Sequence, residues 1–247
     1  MSRRRTLPLA LALALIGVWE LYADLGPIDS LLLPAPSQVA GALVADRALL
    51  WSNLAVTAEE VLLGTSAALL AACLLAAAIH ASATLRRALY PLLVASQTVP
   101  IVLVAPLLVV WLGYDLAPKL VIVALVCFFP IVVSALDGLA STPPELLKLM
   151  RTLGGSRRQT FLRVEAPSAL PSLFSGLRIA ISISVIGAVL AEQSGSSSGL
   201  GHLIVQALPQ LETARAYAAV VLLAALAIAL FTLLGAAQRR FAAWSLA

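Results

Sequence analysis

Six apolar runs, at residues 7–23, 54–79, 88–112, 120–136, 173–191 and 216–237, dominate the chain. Each is near the length a helix needs to cross a hydrocarbon core of about 30 Å. Between the fourth and fifth lies the one polar, cationic stretch, residues 141–171. Its pattern predicts a helix, a glycine turn and a second helix. Thr142 is placed to cap the first helix, with Pro143 at the first position and Glu145 three residues after the cap. Gly154 supplies the stop. Ser156 opens the second helix with Gln159 at the same capping offset, and Pro167 is expected to end it. Leu146, Leu149, Met150 and Leu153 fall at i, i+3, i+4 and i+7, so the first helix carries one apolar stripe while Lys148 and Arg151 point elsewhere. An element of that kind docks against something.

Composition turns these runs into membrane spans. The 247 residues are 61% hydrophobic and 11% charged, with a mean hydropathy of +1.01, whereas a soluble domain is about a quarter charged. The predicted fold class is an all-α integral membrane protein with six transmembrane helices. Of the 16 Lys and Arg residues, 13 lie before the first span, after the second, between the fourth and fifth or just into the fifth, and after the sixth. Only Arg47, Lys119 and Arg215 fall on the other side. Because basic loops are retained in the cytoplasm, both termini and the stretch 141–171 are expected there. The net charge of +4 is split among short loops, which argues against a nucleic-acid partner. Arg3, Arg4 and Arg5 ahead of an apolar run resemble a signal peptide, but the run reaches Ala23 and lacks a small-x-small cleavage site after it. Cys73 and Cys127 lie inside spans without metal spacing and read as small core residues.

Along the chain, Pro34 and Pro36 forbid helix until Ser37 can cap a short amphipathic helix over residues 37–51 on the outer surface. The second span begins near Asn53 and carries Glu59 and Glu60. Adjacent carboxylates suit a proton site, but the interface is near and helix geometry points them about 100° apart, which favours an interfacial role. His80 and Ser82 end that helix, His80 as an interfacial residue. Pro91, Pro100 and Pro106 predict that the third span is kinked or broken. Gln97 and Thr98 beside Pro100 fit a permeation route and interhelix hydrogen bonding equally. Span five is rich in small residues, among them Gly176, Ala180, Ser184, Gly187 and Ala188, a spacing that suits subunit packing or a pathway wall. Arg178 can snorkel to the cytoplasmic face. Glu192 precedes a flexible turn with Gly195, Gly199 and Gly201, which is no dinucleotide fingerprint because no strand precedes it.

Catalytic motifs are missing. No glycine begins a phosphate loop, so the chain should not bind or hydrolyse ATP alone, and His80 and His202 form no metalloprotease pair. Ser197 stands at the centre of G-S-S-S-G between membrane helices, where no sheet supports a nucleophile elbow. A transporter built from this chain needs an energy source from outside it, or a proton gradient acting through Glu59, Glu60 or Glu192.

Residues 145–171, with Gly154 at the turn and A-P-S-A-L-P at the end, resemble the cytoplasmic loop of binding-protein-dependent ABC importer permeases. The likeness extends to L-P-A-P-S-Q-V at 33–39, V-P-I-V-L-V-A-P-L-L-V-V-W-L-G at 99–113, S-G-L-R-I-A at 175–180 and A-E-Q-S-G-S-S-S-G-L-G at 191–201. These segments resemble the nitrate/sulfonate/taurine branch. One departure is local: Lys148-Leu149-Met150 stands where the family signature has Glu-Ala-Ala.

The resemblance implies a type I ABC importer permease fold with a cytoplasmic coupling helix, divided into an N-terminal helix and outer segment (1–53) and a core permease domain (54–247) with its coupling loop at 139–171. It implies the bacterial inner membrane, a second permease copy as homodimer partner, two ABC ATPase subunits that use ATP and Mg, a periplasmic or lipid-anchored solute-binding protein, and surrounding lipid. No cofactor, metal or catalytic residue is expected on this chain. Coupling to the ATPase is assigned by likeness to Glu145, Leu146, Lys148, Leu149, Met150, Arg151, Gly154 and Pro171. Gln97, Thr98, Pro100, Ser184 and Glu192 are the candidates for the pathway or its gate. Sulfonates, taurine, nitrate and a thiamine pyrimidine precursor all remain open as solutes, and a proton-coupled secondary transporter is the competing class.

Overall fold

The computed structural model describes residues 3–27 and 29–242, with side chains from Ala10 onward. The side chains of Arg3, Arg4 and Arg5, which contributed to the predicted orientation, therefore lie outside the described residues. Among the described residues every regular element is helical. Four helices are long and apolar enough to cross a membrane, and a bent pair makes a fifth if it counts as one span.

One compact unit comprises Met1–Val56 and Ser197–Ala225. It holds α1 (Arg3–Leu25), α2 (Pro36–Ala45), the start of α3 (Arg47–Ala81), α10 (Leu200–Ala207) and the first part of α11 (Thr213–Phe241). The outer helix differs from its predicted form. It is only ten residues long, and Ser37 does not cap it; the Gln38 side chain accepts the Ala35 N–H at 3.1 Å, while the Ser37 N–H is donated to Glu20 Oε2 of α1 at 3.0 Å. Leu50 belongs to α3 and is buried, so the helix that carries the second span begins at Arg47, ahead of Asn53. Asp46, the single residue between α2 and α3, accepts Arg215 Nε at 2.7 Å, and Glu212 pairs with the same guanidinium. Asn53 Oδ1 accepts the N–H of Gly199, whose φ of +109° suits glycine. Gly201 lies inside α10 rather than in a turn.

The second unit comprises Thr57–Ser196 and Leu226–Ala247. Its centre is α6 (Leu116–Ala140) packed along α9 (Ala166–Gln193). In lipid there is no hydrophobic drive between helices, so close backbone approach has to supply the attraction. Glycines permit it here. A methyl added at Gly176 would meet Ser134 Cβ at 2.5 Å and the Pro130 carbonyl at 2.6 Å, and one at Gly138 would meet the Ala169 carbonyl at 2.8 Å. Gly64 gives α3 the same access to Val123 of α6. The small residues of span five are thus spent on contacts inside the chain, with Ala180, Ser184 and Ala188 buried. Cys127 is fully buried and donates to the Ala180 carbonyl at 3.4 Å.

The third predicted span is broken, as its prolines required. α4 (Ala83–Ser96) and α5 (Ile101–Leu112) meet at 98° across residues 97–100. Pro100 forms the N-cap of α5, while Pro91 and Pro106 are accommodated within the helices.

Candidate functional site

The cationic stretch folds into α7 (Pro144–Thr152), a glycine turn and α8 (Arg157–Thr160). Two local expectations fail at its ends. Thr142 does not cap α7, because its Oγ1 donates back to the Leu139 carbonyl at 3.1 Å; the cap position falls to Pro143, and Glu145 lies in the first turn with no box to complete. A carboxylate there still complements the helix dipole. Pro167 does not stop the second helix either. A π-helical turn over Phe161–Glu165, in which the Ala166 N–H reaches the Phe161 carbonyl, re-registers the backbone ahead of Pro167. The rod therefore runs on into α9 with Pro171 inside it.

The turn itself follows the sequence. Gly154 has φ +72°, a left-handed conformation that is costly for residues with a Cβ. Gly155, which the motif comparison did not single out, is equally constrained, since an added methyl would sit 2.7 Å from Met150 Cε and 2.9 Å from the Met150 carbonyl. Ser156 and Gln159 form the expected reciprocal cap, at 3.3 and 2.8 Å.

The stripe on α7 is left uncovered. Leu146, Leu149 and Leu153 are 40, 53 and 71% exposed, and no residue of α7 is buried. Lys148 and Leu149 are exposed, and of the three residues that depart from the family signature only half-buried Met150 packs back, against Gly155 in the turn. Anchoring falls to other groups. Arg157 Nη2 donates to the Ala81 carbonyl at the end of α3 at 3.0 Å, and His80 Nε2 stands 3.2 Å from Glu165 Oε2. His80, expected as a lone interfacial residue, thus has a carboxylate partner 85 positions later in the chain. These groups border a cavity of about 820 Å³ lined also by Leu147, Arg151, Gly155 and Arg158. The loop presents leucines outward and cations around a hollow, which suits docking of another protein rather than catalysis.

A second cavity, of about 810 Å³, opens at the break between α4 and α5 against α6 and α9. Ser96, Gln97, Pro100, Phe128, Phe129 and Ser134 are among its lining residues, and no charged side chain is. Of the five candidate pathway residues, Gln97 and Pro100 reach this cavity. Thr98 is exposed beside them and donates to the Ala95 carbonyl, and Ser184 is buried with its hydroxyl on the Ile181 carbonyl at 2.8 Å.

Glu192 belongs elsewhere. It is 1% exposed and accepts Thr57 Oγ1 at 2.6 Å, while Glu60, one turn from Thr57 and fully buried, binds Lys119 Nζ at 2.7 Å. Glu60 is therefore an internal ion-pair member and not an interfacial residue, although Glu59 is exposed, as a 100° rotation requires. The sequence contained the signal in Lys119, a cation away from the basic loops, but the partner was 59 residues distant.

Among the described residues every element is helical, with several apolar spans, a proline-broken membrane helix beside an uncharged cavity and an exposed amphipathic helix, which is the form of the membrane subunit of a transporter. Residues 64–244 match the family described as "Binding-protein-dependent transport system inner membrane component". The chain belongs to that family, whose members are the permease subunits of ABC importers, with the ATPase on a separate subunit. It is 35% identical to the formylaminopyrimidine transport permease protein ThiX of Halalkalibacterium halodurans, over 90% of this chain and 88% of the relative. It is 32% identical to the taurine transport system permease protein TauC of Escherichia coli, over 99% and 91% respectively. The crystal structure of an amino acid ABC transporter superposes with a TM-score of 0.61 at 17% identity, covering 80% of this chain and 96% of that one, which shows a shared fold.

Proposed function

We propose that this chain is one half of a homodimeric permease with two ATPases below it, and that α7 is the coupling helix through which ATP-driven closure selects the inward- or outward-open state. The carrying observation is the uncovered leucine stripe of α7 beside an arginine-rich hollow. Glu145, Leu146, Lys148, Leu149, Met150 and Arg151 would face the ATPase, Gly154 would set the turn, and Pro171 would sit in the rod that carries motion into α9. ATP and Mg are used by the partner, not by this chain. α1 is taken as a sixth crossing ahead of a core domain at 54–247. Cytoplasmic termini fit the charge pattern, since Lys119 and Arg215, two of the three cations outside the basic clusters, are neutralised inside the fold.

The cavity at the α4–α5 break is the proposed pathway, with Gln97 and Pro100 on its wall and Thr98 at its edge. Ser184 and Glu192 are assigned to helix packing and to the buried charge cluster. Two phenylalanines, an amide and two hydroxyls with no cation favour a neutral heterocycle of the formylaminopyrimidine kind over a sulfonate, which would enter uncompensated. Glu60 is held in an ion pair with Lys119, which favours a structural role over proton coupling.

The test is co-purification with the cognate ATPase. Replacing Leu146 and Leu149 with glutamate and Gly154 with arginine should abolish it while leaving the permease folded by circular dichroism; undiminished binding would overturn the coupling assignment.

A further inference from the structure

Arg178 lies within the membrane-spanning part of α9, yet no carboxylate pairs with it among the described residues. Its guanidinium stacks on Phe231 of α11, 5.5 Å from the ring centroid, and its Nε is buried with no hydrogen-bond partner. A second cation joins it. A methyl placed on Gly235 would sit 3.4 Å from Arg178 Nη2 and 3.9 Å from Arg239 Nη1, so the two guanidinium groups approach within the sum of those distances, about 7.3 Å, across a glycine that keeps the space open.

Like charges so close repel, and an unpaired guanidinium in a span is costly unless it meets water or an anion. Snorkelling alone does not account for the arrangement, because it brings Arg178 towards a second cation, Arg239, with no carboxylate between them. The surroundings decide which anion. On α11, Ile228, Phe231 and Leu233 are 64, 42 and 65% exposed, and Ile179 beside Arg178 is 55% exposed, so the pair is flanked by surface fit for acyl chains. Arg239 and Arg240 close the helix at its polar end. A basic notch between two membrane helices beside the polar end of α11, with apolar walls leading away from it, is the form that binds acidic lipid.

We infer that Arg178 and Arg239, converging over Gly235 between α9 and α11, bind the phosphate of an anionic phospholipid. Guanidinium forks match phosphate oxygens bidentately, and the outer Nη groups of Arg178 and Arg239 converge on one side of Gly235 to offer such a fork. Phe231 holds the Arg178 fork in place before the lipid arrives.

Native mass spectrometry of the full chain, released from nanodiscs holding equal phosphatidylglycerol and phosphatidylcholine, tests this. The wild type should retain phosphatidylglycerol at least tenfold over phosphatidylcholine. Arg239→Gln, at an exposed position that leaves folding intact, should lower that preference severalfold; Arg178→Gln should abolish it, and Arg178→Lys should restore it only in part. Equal retention of the two lipids by the wild type, or an unchanged preference in Arg239→Gln and Arg178→Gln together, overturns the site. Displacement of the lipid by millimolar inorganic phosphate would make it a free-phosphate site and overturn the lipid assignment.

Discussion

Replacing Lys119 with methionine probes the buried ion pair most sharply. Glu60 is fully buried and Lys119 Nζ stands 2.7 Å from its Oε1, with the lysine side chain 8% exposed, so neither charge has water to fall back on. Removing one partner of such a pair costs about 3–5 kcal/mol, because the other is left as an uncompensated buried charge. At about 1.4 kcal/mol per decade, that is two to three and a half powers of ten in the unfolding equilibrium. Replacing both, as Glu60→Leu with Lys119→Met, exchanges the pair for apolar groups of similar size and should recover most of the loss, since a buried pair in good geometry is often no better than a hydrophobic one. Reversible unfolding of the detergent-solubilised protein by increasing SDS fraction, read by far-UV circular dichroism, supplies all four corners of the cycle. A Lys119→Met cost below about 1 kcal/mol, or a double variant as damaged as the two singles added, would refute the reasoning.

Three further outcomes follow from the packing. Gly176→Val should lower the thermal midpoint by an amount equivalent to about 1–3 kcal/mol, since even its first carbon meets Ser134 and Pro130 at 2.5–2.6 Å, whereas Gly41→Ala, mid-helix in α2 with open space around it, should raise stability by about 0.5–1 kcal/mol in the same scan. Gly154→Val should cost about 1–2 kcal/mol of local turn stability from its φ of +72° and reduce ATPase co-purification, measured by pull-down, without altering helix content. Phe128→Ala with Phe129→Ala should slow uptake of an aromatic heterocycle at least tenfold in reconstituted vesicles while the assembled complex still hydrolyses ATP.

Four of the spans, and a fifth as the bent pair, were legible because they rest on length and hydropathy, and α4–α5 could be foreseen as broken because Pro100 removes a donor where Gln97 and Thr98 already interrupt the apolar run. Ser156 and Gln159 cap as their spacing indicates. Thr142 does not, because its hydroxyl takes the competing Leu139 carbonyl, and Ser37 does not, because Pro36 already opens α2 with Ala35 at the cap. Pro167 misled because a π turn can re-register the backbone ahead of a proline. The Glu60–Lys119 and His80–Glu165 pairs join residues 59 and 85 positions apart, and only tertiary packing brings them together. Gly155 was obscured by its neighbour, since two adjacent glycines serve different ends: Gly154 the left-handed turn, Gly155 the contact with Met150.

Transport through this chain is driven by a partner's ATP hydrolysis. Uptake into proteoliposomes holding the permease, its ATPase and its solute-binding protein measures this directly. Uptake should require enclosed ATP and the binding protein and persist when a protonophore collapses the proton gradient. Uptake that continues without ATP and vanishes with the protonophore would contradict it.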